Sequence, residues 1–330
     1  MTPIAPHISA FLREHLPLHK GASVQTCESY AYAFQLLFTF ASQRFHVAPS
    51  ALYLEQIDAP LVMAFLQSLE TDRHNGARTR NARLVAIKSF MHFIEHRVPA
   101  LLEQSRRILS IPAKRTDDRL VHWLSIDEMQ ALLSAPVPQQ REGIRDRAML
   151  HLCYAAGLRV SELISLPLTA VQFQPTAQVY VQGKGRNQRT LPLWKQTAVD
   201  LRAWLAVRGQ ASVPELFLNA RGSSMTRFGF EYVLRKHVRT AEKSCPSLKH
   251  KRISPHTLRH SSAMLILQAT GDLRKVSLWL GHSNMQTTEI YLRADPTEKL
   301  DAIEAVIPPT LKRGHFRAPD KLLASLRGSP

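Results

Sequence analysis

The stretch that decides the fold is SPHTLRHSSAMLILQATGDLRKVSLWLGHSNMQTTEIYL, residues 254–292. Its apolar residues recur at helical spacing over 257–269 and again over 273–280. Gly271 follows the first run and Gly281 follows the second. Because glycine commonly occupies the position just past a helix end, the stretch predicts two consecutive helices.

This stretch also carries side chains that can bind a phosphate or move a proton. His256 and Arg259 form an H-x-x-R pattern at the start of the first helix, so both project from one turn. His282 directly follows Gly281, which predicts an exposed loop, and Tyr291 lies in the segment beyond it. Taken singly, each has an ordinary explanation as a capping histidine, a loop histidine or a core tyrosine. The evidence for a functional site is therefore that all four residues occur together in one short stretch.

Two upstream stretches extend this set. AAGLRVSELISL, residues 155–166, places Arg159 and Glu162 on one face of a predicted helix. VYVQGKGRNQRTLPL, residues 179–193, alternates apolar and polar residues on both sides of GKGRNQ, which predicts a hairpin with Lys184 at its turn. Alone, the first pair is typical of a surface ion pair and the lysine of a solvated turn.

Helical periodicity dominates the rest of the chain, so we predict a mainly α fold with a small antiparallel β-sheet (α+β). A proline, mixed charges and little periodicity indicate a connection after the first helical region. Ser125 and Glu128 then form the S-x-x-E pattern of a capping box, which starts a new helix. We expect a helical first domain over 1–105, a linker over 106–121, a second domain over 122–307 and a basic tail over 308–330.

The charge balance indicates the class of partner. Lys and Arg number 43 against 26 Asp and Glu, a formal net charge of +17. Such an excess repels itself unless a polyanion neutralises it, and nucleic acid is the commonest partner, with an anionic membrane surface as the rival. The sequence has no apolar run long enough to span a bilayer, no export leader, and no Cys pair among its 3 cysteines. We expect a soluble, cytoplasmic protein.

Basic residues cluster in both predicted domains. A stripe of one sign is less typical of an ordinary solvated helix face than a mixed one. We predict DNA contacts from one group in the first domain and from a second group that leads into the H-x-x-R helix: Arg78, Arg80 and Arg83, then Arg235, Lys236, Arg239, Lys249, Lys251 and Arg252.

In chain order the set resembles the tyrosine recombinases, the phage-integrase and Xer-like family. The residues that carry the resemblance are Arg159, Lys184, His256, Arg259, His282 and Tyr291. The resemblance covers the whole chain and implies a helical core-binding domain followed by a catalytic domain, which together form a C-shaped DNA clamp. It also implies double-stranded recombination sites as substrate and a homo-tetramer, or related recombinase subunits, in the synapse.

The chemistry explains why these residue types are needed. Attack on a phosphodiester builds negative charge that two permanently charged guanidinium groups, Arg159 and Arg259, can take up. The sequence shows no metal-ligand cluster and no ATP-binding loop, so we expect no metal and no cofactor. A 3′-phosphotyrosyl link at Tyr291 would preserve the energy of the cut bond for rejoining.

The remaining residues have expected roles in moving protons and holding the phosphate. A phenol is mostly protonated at neutral pH, and we expect His256 to accept its proton. His282 would donate a hydrogen bond to the phosphate, and Lys184 would protonate the leaving 5′-hydroxyl. Glu162, by its spacing, would orient Arg159.

Other functions stay open on the sequence alone. A type IB topoisomerase uses similar chemistry to relax supercoils, and a catalytically silent accessory protein could keep the fold. His92, Glu95 and His96 match the zinc-peptidase pattern H-x-x-E-H on a helix that we assign to packing and DNA contact. We expect a mobile-element role rather than a housekeeping one, and we expect the basic tail to pack against a neighbouring subunit.

Overall fold

The computed structural model describes residues 1–116, 121–183, 187–282 and 284–294, and the chain divides into two compact units, Met1–Asp118 and Arg119–Pro330. Both units are built mainly from helices, and the second also contains a three-stranded antiparallel sheet. The predicted mainly α fold with a small sheet is confirmed. The predicted basic tail, residues 308–330, lies outside the described residues.

The first unit is all helical. Ser23 and Asp58 cap two of its helices, since their side-chain oxygens accept from the backbone N–H groups of Thr26 and Leu61. Phe90 packs at its centre, with ring centroids 5.3 Å from those of neighbouring phenylalanines. The helices are α1 (Ile4–Ala10), α2 (Val24–Phe45), α3 (Ala59–Thr71), α4 (Ala77–Glu95) and α5 (Leu102–Leu109); a π-helical stretch, Phe11–His19, follows α1, and 3₁₀ turns lie at Pro49–Ala51, Leu54–Gln56 and Pro99–Leu101.

The first unit extends further along the chain than the sequence predicts. Residues 106–109, which we expected in the linker, form the end of α5, and Ile108 and Ile111 are buried in the core of this unit. Arg80 Nη1 also donates to the carbonyl oxygen of Pro112 at 3.1 Å. The predicted start of the linker at residue 106 is therefore wrong. The arginines that suggested a linker face solvent on a helix whose other side is packed.

The second unit places its sheet among helices. The two longer strands alternate because one face of each is buried, by Val179 and Val181 on one strand and Leu191 on the next. Val179 pairs with Leu191, which confirms the predicted hairpin. The elements are α6 (Ile126–Ser134), α7 (Arg141–Ala155), α8 (Val160–Ile164), β1 (Val171–Gln172), β2 (Gln178–Gln182), β3 (Gln188–Pro192), α9 (Lys195–Arg208), α10 (Arg227–Ala241), α11 (Pro255–Thr270), α12 (Leu273–Leu280) and α13 (Gln286–Ala294), with 3₁₀ turns at Leu168–Ala170 and Pro246–His250.

Local signals set several boundaries in this unit. Ser125 Oγ accepts from the Glu128 backbone N–H, and the Glu128 carboxylate accepts from the Ser125 N–H, which confirms the capping box that starts α6. Gly271 and Gly281 end α11 and α12 with left-handed backbone angles, as predicted. Helix α7 is buried along its whole last half and forms the centre of this unit.

A buried ion cluster, which we call the Asp146 cluster, joins α7 to α10. Asp146 Oδ1 accepts from Arg145 Nε and Nη2, at 3.0 and 2.7 Å, and Asp146 Oδ2 lies 2.9 Å from His237 Nε2. Arg145 Nη1 donates to the carbonyl oxygen of Leu218 at 3.1 Å. Burial raises the pKa of Asp146, but its hydrogen bond to His237 and the charge of Arg145 outweigh burial and hold this pKa below its ordinary value.

Among the described residues, no helix is both long and apolar enough to cross a membrane.

Candidate active site

The site is centred on a buried carboxylate, Glu162, near the start of α8. Glu162 Oε1 accepts from Arg159 Nη1 at 2.7 Å, and Glu162 Oε2 accepts from the Arg159 backbone N–H at 2.9 Å. Arg189 on β3 donates to both oxygens, at 3.2 Å from Nη1 and 2.7 Å from Nη2. Burial raises the pKa of Glu162, but the hydrogen bonds and charges of these arginines outweigh it and hold the pKa below its ordinary value. Glu162 is therefore ionised and orients Arg159, as the spacing predicts.

The second predicted arginine, Arg259, is held by the backbone. Its side chain is only 4% exposed, and it donates from Nη1 to the Gly157 carbonyl oxygen at 2.6 Å and from Nη2 to the Leu280 carbonyl oxygen at 2.7 Å. Burial and the nearby charge of Arg159 lower its pKa to about 10, so it keeps its charge at neutral pH. The Arg159 side chain is 29% exposed and can meet a ligand from solvent.

Two glycines are required by this packing. Gly157 has φ +55°, and a Cβ there would lie 2.8 Å from Leu280 Cδ2. Gly281 has φ +64°, and a Cβ there would lie 3.0 Å from Arg189 Nη1. Positive φ and close neighbours together disfavour a side chain at either position. These turns bring the Gly157 carbonyl to Arg259 and His282 to the arginines.

His282 lies next to the arginines but is half-buried, so the prediction of an exposed loop is wrong. Its ring packs against α13, where Nδ1 lies 2.9 Å from Thr288 Oγ1. Burial, followed by the charges of Arg259 and Arg159, lowers the pKa of His282 to about 4. The ring is neutral at pH 7, and when Thr288 donates to Nδ1 the proton is on Nε2. A neutral ring of this kind can donate a hydrogen bond to an anion.

Tyr291 is buried beside a histidine that we did not predict. Its side chain is 1% exposed, and its Oη lies 2.9 Å from Nδ1 of His260. Burial raises the pKa of Tyr291 to about 12, while the charges of Arg259 and Arg159 act in the opposite direction. The positive charges of both arginines therefore act on the phenol.

His256 does not occupy the predicted position beside the phenol. Its ring stacks on that of His260, with centroids 6.3 Å apart, because the two residues lie one turn apart on α11. Burial and the charges of Arg259, Arg227 and Arg159 lower the pKa of His256. The charges of these arginines therefore act on His256, and it is His260 that contacts Tyr291.

Lys184 lies outside the described residues. On either side of the hairpin turn, the Gly183 backbone N–H donates to the Asn187 carbonyl oxygen at 2.7 Å. The strands therefore remain paired up to the turn that carries Lys184 in the sequence.

Most of the predicted DNA contacts are exposed, but four have a partner within their own unit, among them the exposed Lys236, whose Nζ lies 3.9 Å from Asp146 Oδ2. Arg80 is buried at 7% exposure and binds Pro112, which conflicts with a DNA contact. Lys251 Nζ donates to Glu128 Oε2 at 2.6 Å, and Arg83 Nη1 donates to the Ser29 carbonyl oxygen at 3.2 Å. The exposed members are Arg78, Arg235, Lys236, Arg239, Lys249 and Arg252.

The zinc-peptidase pattern on α4 does not form a ligand group. His92 Nδ1 lies 3.0 Å from Glu95 Oε2 on the outer side of the helix. Across the residues that the structure describes, no three His, Cys, Asp or Glu side chains lie close enough together to hold a metal ion.

Sequence reasoning missed two residues of the site, Arg189 and His260. Arg189 follows the GKGRNQ turn and pairs with Val181, on the same face of the hairpin as the buried Val179 and Leu191. Strand alternation with Leu191 was the available signal that this arginine faces inward. His260 directly follows Arg259 and stands four residues after His256, which puts the two histidines on one helix face. That spacing was the available signal for His260.

Comparison with known proteins assigns the chain to a family. The model of the phage integrase family matches residues 122–298, and that of the phage integrase N-terminal SAM-like domain matches residues 8–97. The chain belongs to the phage integrase family. The predicted resemblance to tyrosine recombinases is thereby confirmed, and members of this family break and rejoin DNA.

Individual relatives match this integrase-family chain over most of its length. Putative integrase/recombinase y4rC of Sinorhizobium fredii is 40% identical over 323 residues, which cover 98% of this chain and 97% of the relative. Tyrosine recombinase XerC of Pelobacter propionicus is 30% identical over 310 residues, 93% of this chain and 97% of the relative. A crystal structure of the XerH site-specific recombinase bound to palindromic difH substrate, a post-cleavage complex, matches with a TM-score of 0.68. It is 20% identical and covers 86% of this chain and 81% of that one, so it supports the fold alone.

Proposed function

We propose that this protein is a site-specific recombinase that cuts and rejoins duplex DNA through Tyr291. Tyr291 Oη attacks a phosphodiester, forms a 3′-phosphotyrosyl link and releases a 5′-hydroxyl. The observation that carries this proposal is the position of the Tyr291 phenol within the field of two anchored arginines, Arg259 and Arg159. Phosphate and nucleophile would meet there without rearrangement of the cations.

The arginines suit the transition state because their positions are fixed before DNA arrives. Arg259 is held by two backbone carbonyls and Arg159 by Glu162, so neither has to be ordered when charge develops on the phosphate oxygens. Preorganised donors of this kind are each worth about 10²–10³ in rate. His282 would add a hydrogen bond from its Nε2–H.

Two further features complete the proposed chemistry. Lys184 would give a proton to the leaving 5′-oxygen, since an alkoxide is a poor leaving group. Fixed cations would supply the charge that a metal ion supplies elsewhere, so the reaction would need neither metal nor ATP.

Exposed basic residues of both units would bind the DNA backbone, and four subunits would act on paired sites. The greater identity to a relative named a putative integrase/recombinase, 40% against 30% for the XerC relative, favours a mobile-element role over chromosome maintenance. The expected outcome is integration or excision of a DNA segment.

A trapping experiment tests the proposed chemistry. Duplexes bound by the full chain are first selected from a random pool. The selected sequence is then prepared with a nick beside the cleavage position, so that the short strand bearing the 5′-hydroxyl diffuses away. Wild type should accumulate a covalent adduct that survives denaturant, with or without a chelator, and Tyr291→Phe should form none. A bound sequence that yields no adduct, or an undiminished adduct with Tyr291→Phe, contradicts the proposal.

A second substrate separates recombination from topoisomerase activity. Linear DNA carrying two copies of the selected site should give crossed-over products. Relaxation of a supercoiled plasmid without any crossed-over product would indicate a topoisomerase instead.

A further inference from the structure

The hydrogen bond between Tyr291 Oη and His260 Nδ1 is the polar contact that the structure gives the nucleophile. Their separation is 2.9 Å, and the two rings meet edge to face with centroids 5.7 Å apart. His260 is carried by α11 and Tyr291 by α13, and the two helices pack together in one hydrophobic cluster. The contact is therefore set by tertiary packing, and its two partners lie 31 residues apart in the chain.

We propose that His260 is the proton acceptor for Tyr291 during DNA cleavage, an inference that rests on the proposed function. The proton of the phenol passes to Nδ1 of His260 while the bond between Tyr291 Oη and phosphorus forms. The bond between phosphorus and the 5′-oxygen breaks, and that oxygen takes its proton from Lys184. In rejoining, the 5′-hydroxyl returns its proton to the neutral Lys184 amine as it attacks phosphorus, and the imidazolium returns its proton to the departing phenol oxygen.

The resting state of His260 suits this role. Burial, the adjacent His256 and the charge of Arg259 lower the pKa of His260 to about 4, so the ring is neutral at pH 7 and keeps a free lone pair. With its proton on Nε2, its Nδ1 accepts from the phenol. A protonated ring could not accept the phenol hydrogen bond. These surroundings therefore keep Nδ1 unprotonated and able to accept it.

Bound DNA would make protonation of His260 more favourable than it is in the resting site. An imidazolium at position 260 would face Arg259 and His256 on its own helix, and His282 from a neighbouring segment. A phosphodiester bound at Arg259 brings a negative charge that offsets the repulsion of a proton on His260 by this arginine. The phenol also becomes strongly acidic as its oxygen bonds to phosphorus, so proton transfer accompanies attack.

His256 is the alternative acceptor, but its environment favours a contact with the phosphate. Its side chain is more exposed than that of His260, and charges of three arginines act on it. The structure gives Tyr291 a hydrogen bond to His260 and none to His256 within the described residues.

Single-turnover cleavage by His260→Asn tests the inference. The Asn Oδ1 lies close to the place of Nδ1 and can still accept the phenol hydrogen bond, but an amide cannot take up a proton. We expect the cleavage rate to fall by at least about 10²-fold, the usual contribution of a general base. His260→Ala should be similarly slow, and His250→Asn, an exposed histidine outside the site, should match wild type.

The pH profile gives a readout that a purely structural role would not change. Wild-type cleavage should fall in acid as His260 is protonated in the DNA complex. His260→Asn should lose that acid limb and instead gain rate steadily towards high pH, as hydroxide removes the phenol proton. His260→Gln, assayed for DNA binding and thermal unfolding, provides a second variant if the Asn form does not fold.

A substrate with sulfur in place of the bridging 5′-oxygen distinguishes protonation of the leaving group from removal of the phenol proton. A thiolate leaves without a proton, so this substrate should restore cleavage to a Lys184→Ala variant and not to His260→Asn. If wild type forms the adduct and His260→Asn is within a few-fold of it, the inference fails while the proposed function stands. If wild type forms no adduct, the proposed function fails first.

Discussion

The Glu162 site and the Asp146 cluster are built from the same kinds of side chain. Each buries a carboxylate that binds arginine, and each has a histidine nearby. In the Asp146 cluster, carboxylate, arginine and histidine are all nearly inaccessible to solvent. At the Glu162 site, Arg159 is partly open, and a tyrosine lies within its field. A buried ion network alone therefore does not identify an active site. The proposed site differs from the Asp146 cluster because the charge of a partly open arginine acts on a tyrosine.

The largest effect we expect is on stability, from Asp146→Ala. Removing the carboxylate leaves Arg145 and His237 buried without their partner, which typically costs about 3–5 kcal/mol. Urea unfolding of the second unit should shift by that amount, while adduct formation per folded molecule stays unchanged. The exposed Asp127→Ala is the matched control and should shift little. If Asp146→Ala lost adduct formation but kept its stability, the Asp146 cluster would not be a purely structural network. That outcome would contradict the comparison with the Glu162 site.

Arg159→Ala should slow adduct formation and leave stability nearly unchanged. Glu162 keeps its two bonds from Arg189, so the free energy of unfolding should change by less than about 1 kcal/mol. Adduct formation should slow by about 10²–10³-fold, because one preorganised donor to the phosphate is lost. Single-turnover cleavage and urea unfolding measure both quantities, with the exposed Arg274→Ala as control. An active Arg159→Ala variant would contradict the assignment of this arginine to the phosphate.

Gly157→Ala should reduce both the stability of the second unit and the rate of cleavage, since this residue forms a turn and its carbonyl oxygen holds Arg259. The left-handed backbone costs a non-glycine residue about 1–2 kcal/mol, and the new Cβ would displace Leu280. The carbonyl that holds Arg259 would move with it, so cleavage should slow as well. Gly271→Ala has a similar φ of +60° but open space around it. That control should lose stability by the backbone cost alone and keep its activity.

The smallest effect we expect is a loss of stability of the second unit in mild acid. Burial and neighbouring charges hold the pKa of His260 and of His282 at about 4, below the ordinary value of 6.5. The unfolded chain therefore binds more protons between these values, and the free energy of unfolding falls as pH drops from about 6.5 towards 4. Both rings are partly exposed, so solvent screens the effect. Urea unfolding at pH 7 and pH 5 should show a smaller difference for His260→Asn than for wild type, and equal differences would contradict this account.

The sequence predicted the features that depend on neighbours along the chain. The capping box at Ser125, the hairpin and the helix ends at Gly271 and Gly281 each rest on a few adjacent residues. The arginine and carboxylate of the Glu162 site were predictable for the same reason, because Arg159 and Glu162 lie one turn apart.

The errors concern contacts made across the fold. His260 meets Tyr291, and Arg189 meets Glu162, only because α13 packs on α11 and β3 lies beside α8. Arg80 appeared to belong to a basic stripe, but its face of α4 packs against the segment after α5. Charge pattern alone cannot distinguish an arginine on the surface from one whose guanidinium binds buried carbonyls.

Arg259 connects parts of the second unit that are far apart in the chain. Its two carbonyl partners lie 102 and 21 residues away in sequence, one before the hairpin and one at the end of α12. During synthesis on the ribosome, Arg259 therefore cannot meet both carbonyl oxygens until most of the second unit has emerged and packed. Tyr291 follows Arg159 and Arg259 in the chain, so the phenol is made only after both arginines. The order of synthesis thus makes the tyrosine the last of these three residues to join the folded unit.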